Sequence, residues 1–370
     1  MDLFAAASNV RHTLTGGGVA DLRRMPRDRV AVRTADAPRE SRSVLYRYRP
    51  LDGVEPLDEP PLLLVPPLGA PDFAYDLRRG CSLVEHLLGT GRTVYLVDYG
   101  GLSFADRRRG IEHWVDGVVP WAVLETEQDT GGPMHLLGWS LGGIFCLLAV
   151  AAAEEAGVPL PVRAVVEIAS PVDVTAVPLV APLRPVAAVT GGRGLSAVYQ
   201  AFGLFPSTIV STAFKLTAVD KLITKPLTKL SLIDDTDGLA QIEAVEYLMN
   251  NMHAYPGRVF GQVYHLMLRS NDLADGKLAL AGRSISLGSI TVPVLVVAGT
   301  GDVIAPLKSV EKVVELLTGS PDVRFETAPG GHLGVLTGRK ARTTTWPLID
   351  GFLRDHGADH GADHGPDHKA

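Results

Sequence analysis

Three residues in one chain order could carry nucleophilic chemistry. Ser140 sits in Gly138-Trp139-Ser140-Leu141-Gly142-Gly143. A serine hydroxyl is a poor nucleophile until a base takes its proton. The Gly-x-Ser-x-Gly spacing suits a tight strand-to-helix turn that lifts the hydroxyl above a sheet. Its glycines stand where strand and helix approach too closely for side chains. The run 134–138 reads as the strand and 144–153 as the helix. A helix N-terminus behind Ser140 also favours developing negative charge.

Such an elbow calls for an acid after a later strand and a histidine after the last one, in the order Ser, Asp, His. Asp302 closes the apolar run that starts at Val294, and His332 lies in Gly330-Gly331-His332-Leu333 after the strand-like Val323-Arg324-Phe325. Here His332 serves as general base and then general acid, while Asp302 orients its ring. The bland alternative is a loop aspartate capping a helix and a surface histidine. A tetrahedral intermediate also needs backbone donors. The Leu141 N–H follows the nucleophile directly. In Val65-Pro66-Pro67-Leu68-Gly69 the prolines have no N–H, so Leu68 is the first donor of that turn. His135, inside a strand run, reads as a satisfied core residue. His113, beside Trp114, could face the site without anything demanding it, and His253 and His265, in the cap, are lesser candidates for substrate contact.

The elements needed to hold these groups are legible as short apolar runs bounded by Gly, Pro or Asp. They are Leu62 to Val65, Val94 to Val97, His135 to Gly138, Ala164 to Ile168 and Val294 to Val297. Continuous apolar runs fit central parallel strands covered on both faces. Helix-length segments at 76–90, 111–128, 141–155 and 305–318 alternate with them, which predicts a doubly wound α/β sheet with right-handed crossovers. Residues 28–36 and 42–50 read as two further strands, the second alternating as an edge strand does. Residues 1–27 read as a leader, 28–171 and 289–354 as the core, 172–288 as an inserted, largely helical cap, and 355–370 as a disordered Asp/His/Gly tail. Its four histidines at intervals of four would share a helix face, but the interspersed glycines and Pro366 oppose a helix and a metal site.

The composition narrows the class. Apolar residues make up 46% and charged residues 21% of the 370, as in a folded soluble enzyme. The 35 Lys and Arg residues are dispersed and the net charge is −6, so no nucleic-acid partner is expected. The cluster Arg107-Arg108-Arg109 reads as a solvated loop. Cys81 and Cys146 have no metal or disulfide spacing, and Cys146 reads as a buried small hydrophobe. Neither a metal nor a cofactor is called for. There is no secretory signal at 1–10, and Val174 to Thr190 is broken by three prolines and Arg184, so the expectation is a cytoplasmic protein without a transmembrane segment.

Several motifs together resemble the polyhydroxyalkanoate synthases, a branch of the α/β-hydrolase superfamily, over roughly residues 60 to 353. They are Val65-Pro66-Pro67 with Tyr75-Asp76-Leu77, then Ser82-Leu83-Val84, and Gly91 with Val94 to Gly100. Asn271, Gly276, Leu278, Gly282 and Arg283 follow, then Asp302-Val303-Ile304-Ala305-Pro306 and Gly331-His332. The resemblance implies an α/β-hydrolase fold with the nucleophile at Ser140, the acid at Asp302 and the base at His332. It also implies transfer of a hydroxyacyl group from a coenzyme A thioester to a growing polyester. The sequence departs from that family at the nucleophile, where the polymerising enzymes carry Cys. A thiolate exchanges readily with a thioester, whereas a serine ester in such folds is ordinarily hydrolysed. The expected function is therefore a serine acyl-transfer enzyme acting on hydrophobic acyl esters or thioesters, with acyl-CoA as a candidate substrate. The alternatives are a polyhydroxyalkanoate synthase-type acyltransferase and a non-catalytic protein that binds lipid or polyester inclusions. Association with such inclusions and a homodimer also fit the resemblance.

Overall fold

The structure, a computed structural model, describes residues 18–36, 42–177, 203–216 and 232–357. Its centre is an eight-stranded sheet. In chain order the strands begin with β1 (Arg27–Val32), β2 (Val44–Tyr48) and β3 (Leu62–Val65). Helix α1 (Leu83–Gly89) leads to β4 (Val94–Asp98), and α2 (Val119–Thr130) to β5 (Met134–Trp139). Helix α3 (Leu141–Glu155) then leads to β6 (Val162–Ile168).

The short β7 (Leu204–Phe205), α4 (Ser207–Leu216), α5 (Thr236–Asn250), β8 (Tyr255–Pro256) and α6 (Gly257–Gln262) follow. A hairpin of β9 (Lys277–Leu280) and β10 (Arg283–Ser286) precedes the return to the sheet. The last elements are β11 (Val294–Gly299), α7 (Leu307–Glu311), β12 (Val323–Ala328) and α8 (Thr345–Asp355).

The spatial order is β1-β2-β4-β3-β5-β6-β11-β12. β1, β2 and β4 pair antiparallel, and every pair from β4 to β12 is parallel. β3, β5 and β11 are buried at every residue, as strands covered on both faces require. The sheet's order turns around β3 and β5, and ligands in such sheets bind beyond the carboxyl ends of the strands. The elbow after β5 and the turn after β3 lie there.

Helix α3 is buried at every residue from Gly142 to Ala152. A helix apolar all round must be covered on both sides. The sheet covers one side, and the hairpin β9–β10 covers the other with Leu278, Leu280 and Ile285, all at most 1% exposed. The Ser286 N–H donates to Glu155 Oε1 at the helix end (2.8 Å). Hence residues 277–286, read from sequence as part of the cap, are a flank of the core. The rest of that insertion includes α5, whose Ala240, Ala244 and Leu248 turn inward at helical spacing.

Two boundaries also differ from the sequence reading. Residues 19–25, assigned to a leader, are tied to the body. Glu243 accepts from the Val19 and Ala20 N–H groups (2.7 and 3.1 Å), and Asp76 accepts from the Met25 N–H (2.6 Å). At the other end Asp355 closes α8 and pairs with Arg324 (2.5 Å), while His356 bonds Asp322 (3.0 Å). The remaining His-Asp repeats fall in 358–370, outside the described residues, as does most of the apolar stretch from Val174 to Thr190.

Candidate active site

Ser140 stands at the junction of β5 and α3 with φ 55° and ψ −124°. Side-chain-bearing residues rarely adopt this backbone region, and it persists only where the surroundings enforce it. Its N–H donates to the Ile168 carbonyl on β6 (2.8 Å). A Cβ on Gly138 would lie 2.4 Å from the Gly143 nitrogen, and one on Gly142 2.2 Å from the Val65 carbonyl oxygen. One on Gly143 would lie 2.1 Å from Ser170 Oγ. All three glycines are required by contact.

The three residues singled out by type and order meet at this turn. His332 Nε2 is 2.9 Å from Ser140 Oγ, and His332 Nδ1 is 2.8 Å from Asp302 Oδ2. The other Asp302 oxygen, Oδ1, accepts from the Ile304 and Ala305 N–H groups (2.8 and 2.9 Å), which fixes the carboxylate. Asp302 is 6% and His332 8% exposed, so water has little access to the bond between them. The Trp139 indole N–H donates to the His332 carbonyl (3.0 Å), tying the histidine loop to the residue beside Ser140.

Leu141 opens α3, so its N–H is among the donors a helix start leaves without an intrahelical partner. Leu68 lies in the turn that Gly142 packs against. Three tyrosine hydroxyls pin this turn. Tyr75 donates to the Val65 carbonyl (2.7 Å) and accepts from the Trp139 N–H (3.1 Å). Tyr99 donates to the Pro66 carbonyl (2.7 Å), and Tyr255 donates to the Leu68 carbonyl. Burial pushes all three phenols well above their ordinary pKa, so they stay neutral donors. Sequence reasoning had no role for these hydroxyls. Tyr75 and Tyr99 lie in the family-like motifs, but their carbonyl partners are not inferable from spacing.

The other histidines lie elsewhere. His135 is fully buried in β5, and neither ring nitrogen has a hydrogen-bond partner among the described residues. It is a core residue, but an unsatisfied one. Burial holds it neutral, pushing its pKa down to about 3. His113 Nε2 lies 3.6 Å from Asp36. The His253 N–H donates to the Gly69 carbonyl (2.7 Å), beside the Leu68 turn. His265 lines a separate cavity. Cys146 is buried on α3, and burial raises its thiol pKa far above the ordinary value. Among the described residues no His, Cys, Asp or Glu group converges as a metal cluster, and no helix is long and apolar enough to cross a membrane.

A cavity of about 310 Å³ opens beside His332. Trp139, Val245, Leu248, Met249, Met252 and Ile304 line it, so its wall is mostly apolar and partly α5. A polar latch holds α5 in place. Arg78, 5% exposed, bonds Asp237 (2.7 Å) and Gln241 (2.9 Å), and Gln241 donates to the Thr337 carbonyl (3.0 Å). Arg342 bonds Asp237 (2.8 Å) and Arg339 bonds Asp235 (2.6 Å).

No family model matches the chain. It is 27% identical to the poly(3-hydroxyalkanoate) polymerase subunit PhaC of Allochromatium vinosum, over 85% of this chain and 86% of that one. It is 24% identical to the subunit of the same name from Thiocystis violacea, over 88% and 90%. Among solved structures, a soluble variant of monoglyceride lipase from Saccharomyces cerevisiae superposes with a TM-score of 0.55 at 15% identity, over 89% of this chain and 96% of that one. The chain has the α/β-hydrolase fold and resembles the poly(3-hydroxyalkanoate) polymerase subunits. It is an enzyme of that fold, of the acyltransferase or hydrolase kind.

In this polymerase-like chain the remaining motif residues have structural work. Asp76, 1% exposed, accepts from Ser82 Oγ (2.6 Å) as well as from the Met25 N–H. Asn271, at φ 63°, accepts from the Val174 N–H and donates to Asp173, both at 3.0 Å. It thereby joins the segment after β6 to the one before β9. Glu167, behind the elbow on β6, is fully buried, and its carboxyl oxygens have no hydrogen-bond partner among the described residues. Burial pushes its pKa up to about 8, which the nearby Ser170 hydroxyl offsets only in part.

Proposed function

We propose that the chain transfers hydrophobic acyl groups from esters or thioesters through a covalent acyl-Ser140. The observation that carries this reading is the hydrogen-bond chain Ser140–His332–Asp302 on a strained elbow. Ser140 Oγ attacks the acyl carbonyl while His332 Nε2 takes its proton. Asp302 accepts from Nδ1–H, which orients the ring and stabilises the imidazolium. The oxyanion is received by the N–H groups of Leu141 and Leu68. As the intermediate collapses, the bond to the leaving alcohol or thiol breaks and His332 returns the proton to it. An acceptor then repeats the sequence on the acyl-serine, again deprotonated by His332.

The apolar cavity beside His332 is a suitable berth for an acyl chain. With oxygen as the nucleophile, water is the acceptor we assign, which makes the reaction a hydrolysis. A second reading, polyester synthesis from hydroxyacyl-CoA, draws on the similarity to polymerase subunits over 85% of the chain.

Incubation with 3-hydroxyacyl-CoA separates the two. Free hydroxyacid with coenzyme A is the expected product, and polymer with coenzyme A would favour the second reading. A fluorophosphonate probe with peptide mapping should label Ser140. Ser140→Ala should lower kcat by about 10⁴- to 10⁶-fold with an unchanged circular dichroism spectrum. A label elsewhere, or unchanged turnover in the variant, overturns the acyl-serine.

A further inference from the structure

The run Arg107-Arg108-Arg109, read from sequence as a solvated loop, divides into two parts. Arg109 pairs with buried Asp106 (3.0 Å). Arg107 and Arg108 instead line a cavity of about 430 Å³ with Arg258, Gln262 and His265. Arg107 is positioned without a carboxylate partner among the described residues: it donates to the Phe104 carbonyl (3.0 Å) and its guanidinium lies 4.3 Å from the Phe104 ring centre. Arg258 pairs with Glu112 and donates to the Arg108 carbonyl (3.4 Å). Gln262 is fixed between Glu112 (2.8 Å) and the Ile111 N–H (2.6 Å). Arg107, Arg108 and Arg258 thus border one concavity; Arg258 is paired with Glu112, and Arg107 and Arg108 have no carboxylate partner among the described residues.

The floor of the cavity is backbone. Gly203, Gly257 and Gly261 line it, and a Cβ on Gly257 would come within 2.6 Å of the Gly203 carbonyl oxygen. The absence of a side chain at Gly257 lets the two segments meet. Two arginines without a carboxylate partner among the described residues, beside a third that has one, raise the local anion concentration. A guanidinium presents a planar fork of donors that matches phosphate oxygens two at a time.

We propose that this cavity binds a phosphate-bearing ligand, a diphosphate or phosphomonoester, through Arg107, Arg108 and Arg258. Its volume exceeds what inorganic phosphate alone would fill, so the phosphate belongs to a larger molecule. The site is separate from the acyl cavity at His332 and does not depend on the acyl-serine reading. Tyr255, two residues before Gly257, reaches the Leu68 carbonyl, so one segment supports both the phosphate cavity and the turn beside the nucleophile.

The test is titration calorimetry on the full chain with sodium pyrophosphate and with adenosine diphosphate, alongside co-sedimentation with phosphatidylglycerol vesicles. Saturable binding is expected. Arg108→Glu, and separately Arg107→Ala with Arg108→Ala, should weaken it at least about tenfold. Arg23→Ala with Arg49→Ala, two exposed arginines elsewhere, should leave it unchanged. Tighter binding of the diphosphate nucleotide than of pyrophosphate identifies a nucleotide-like ligand. Vesicle association that the Arg108 change abolishes identifies a lipid headgroup. Either supports the site. The proposal is overturned by an absence of saturable binding, by equal binding in a folded Arg108→Glu variant, or by an equal loss in the Arg23/Arg49 control. Ser140→Ala should bind pyrophosphate as the unaltered chain does, so this result is read apart from the triad assignment.

Discussion

At the scale of residues, the proposed hydrolysis turns on the identity of one atom. Ser140 Oγ sits 2.9 Å from the His332 nitrogen, within reach of proton transfer. Replacing it by sulfur changes the intermediate from an ester to a thioester, whose energy matches that of an acyl-CoA. Ser140→Cys should therefore retain attack on acyl-CoA but partition more of the product toward hydroxyacyl acceptors than toward water. Product analysis by size-exclusion chromatography and free-acid assay checks this. A variant that only hydrolyses, at the parent's ratio, would show that the pocket rather than the nucleophile decides the acceptor. The types and order of Ser140, Asp302 and His332 were legible because the chemistry demands them in a known sequence along the fold. The hydroxyls of Tyr75, Tyr99 and Tyr255 were not. Their carbonyl partners lie 10, 33 and 187 residues away, and only the folded chain defines those pairs.

At the scale of elements, the central strands were readable because burial on both faces leaves an uninterrupted apolar run. The hairpin β9–β10 was not, because its alternation is only four residues long on each side and sits after a helical stretch. Its assignment to a cap failed for a reason visible in α3, a helix with no polar face that needs an outer cover. Helix α5 is held differently, by charged groups around a nearly buried Arg78. Arg78→Ala removes four bonds at once, to Asp237 through Nη2, to the Asp237 and Arg79 carbonyls (both 3.3 Å) and to Gln241. It should lower the unfolding free energy by roughly 1–3 kcal/mol in urea titrations. Because Gln241 also lines the cavity beside His332, KM should rise more than kcat falls if that cavity holds the substrate. An unchanged KM would mean that α5 keeps its place without the latch.

At the scale of the whole molecule, the buried Glu167 links stability to pH. Its pKa rises from 4.5 to about 8 on burial. Between these values the unfolded chain has released a proton that the folded chain retains, so stability falls as pH rises and levels off above about 8. Glu167→Gln removes this slope. The variant should gain on the parent by an amount that grows from pH 5 to pH 8, on the order of a few kcal/mol in denaturant midpoints converted to free energy. A constant difference across that range would show that Glu167 is solvated or paired in solution.

The contacts around the elbow have one more consequence. Gly138, Gly142 and Gly143 are each held by backbone or side-chain atoms closer than any Cβ tolerates. The hydroxyl of Ser140 alone projects away from that frame toward His332. The glycines are thus fixed by contact while the side-chain atom at position 140 is not, so an exchange of oxygen for sulfur there would leave the frame of the elbow intact.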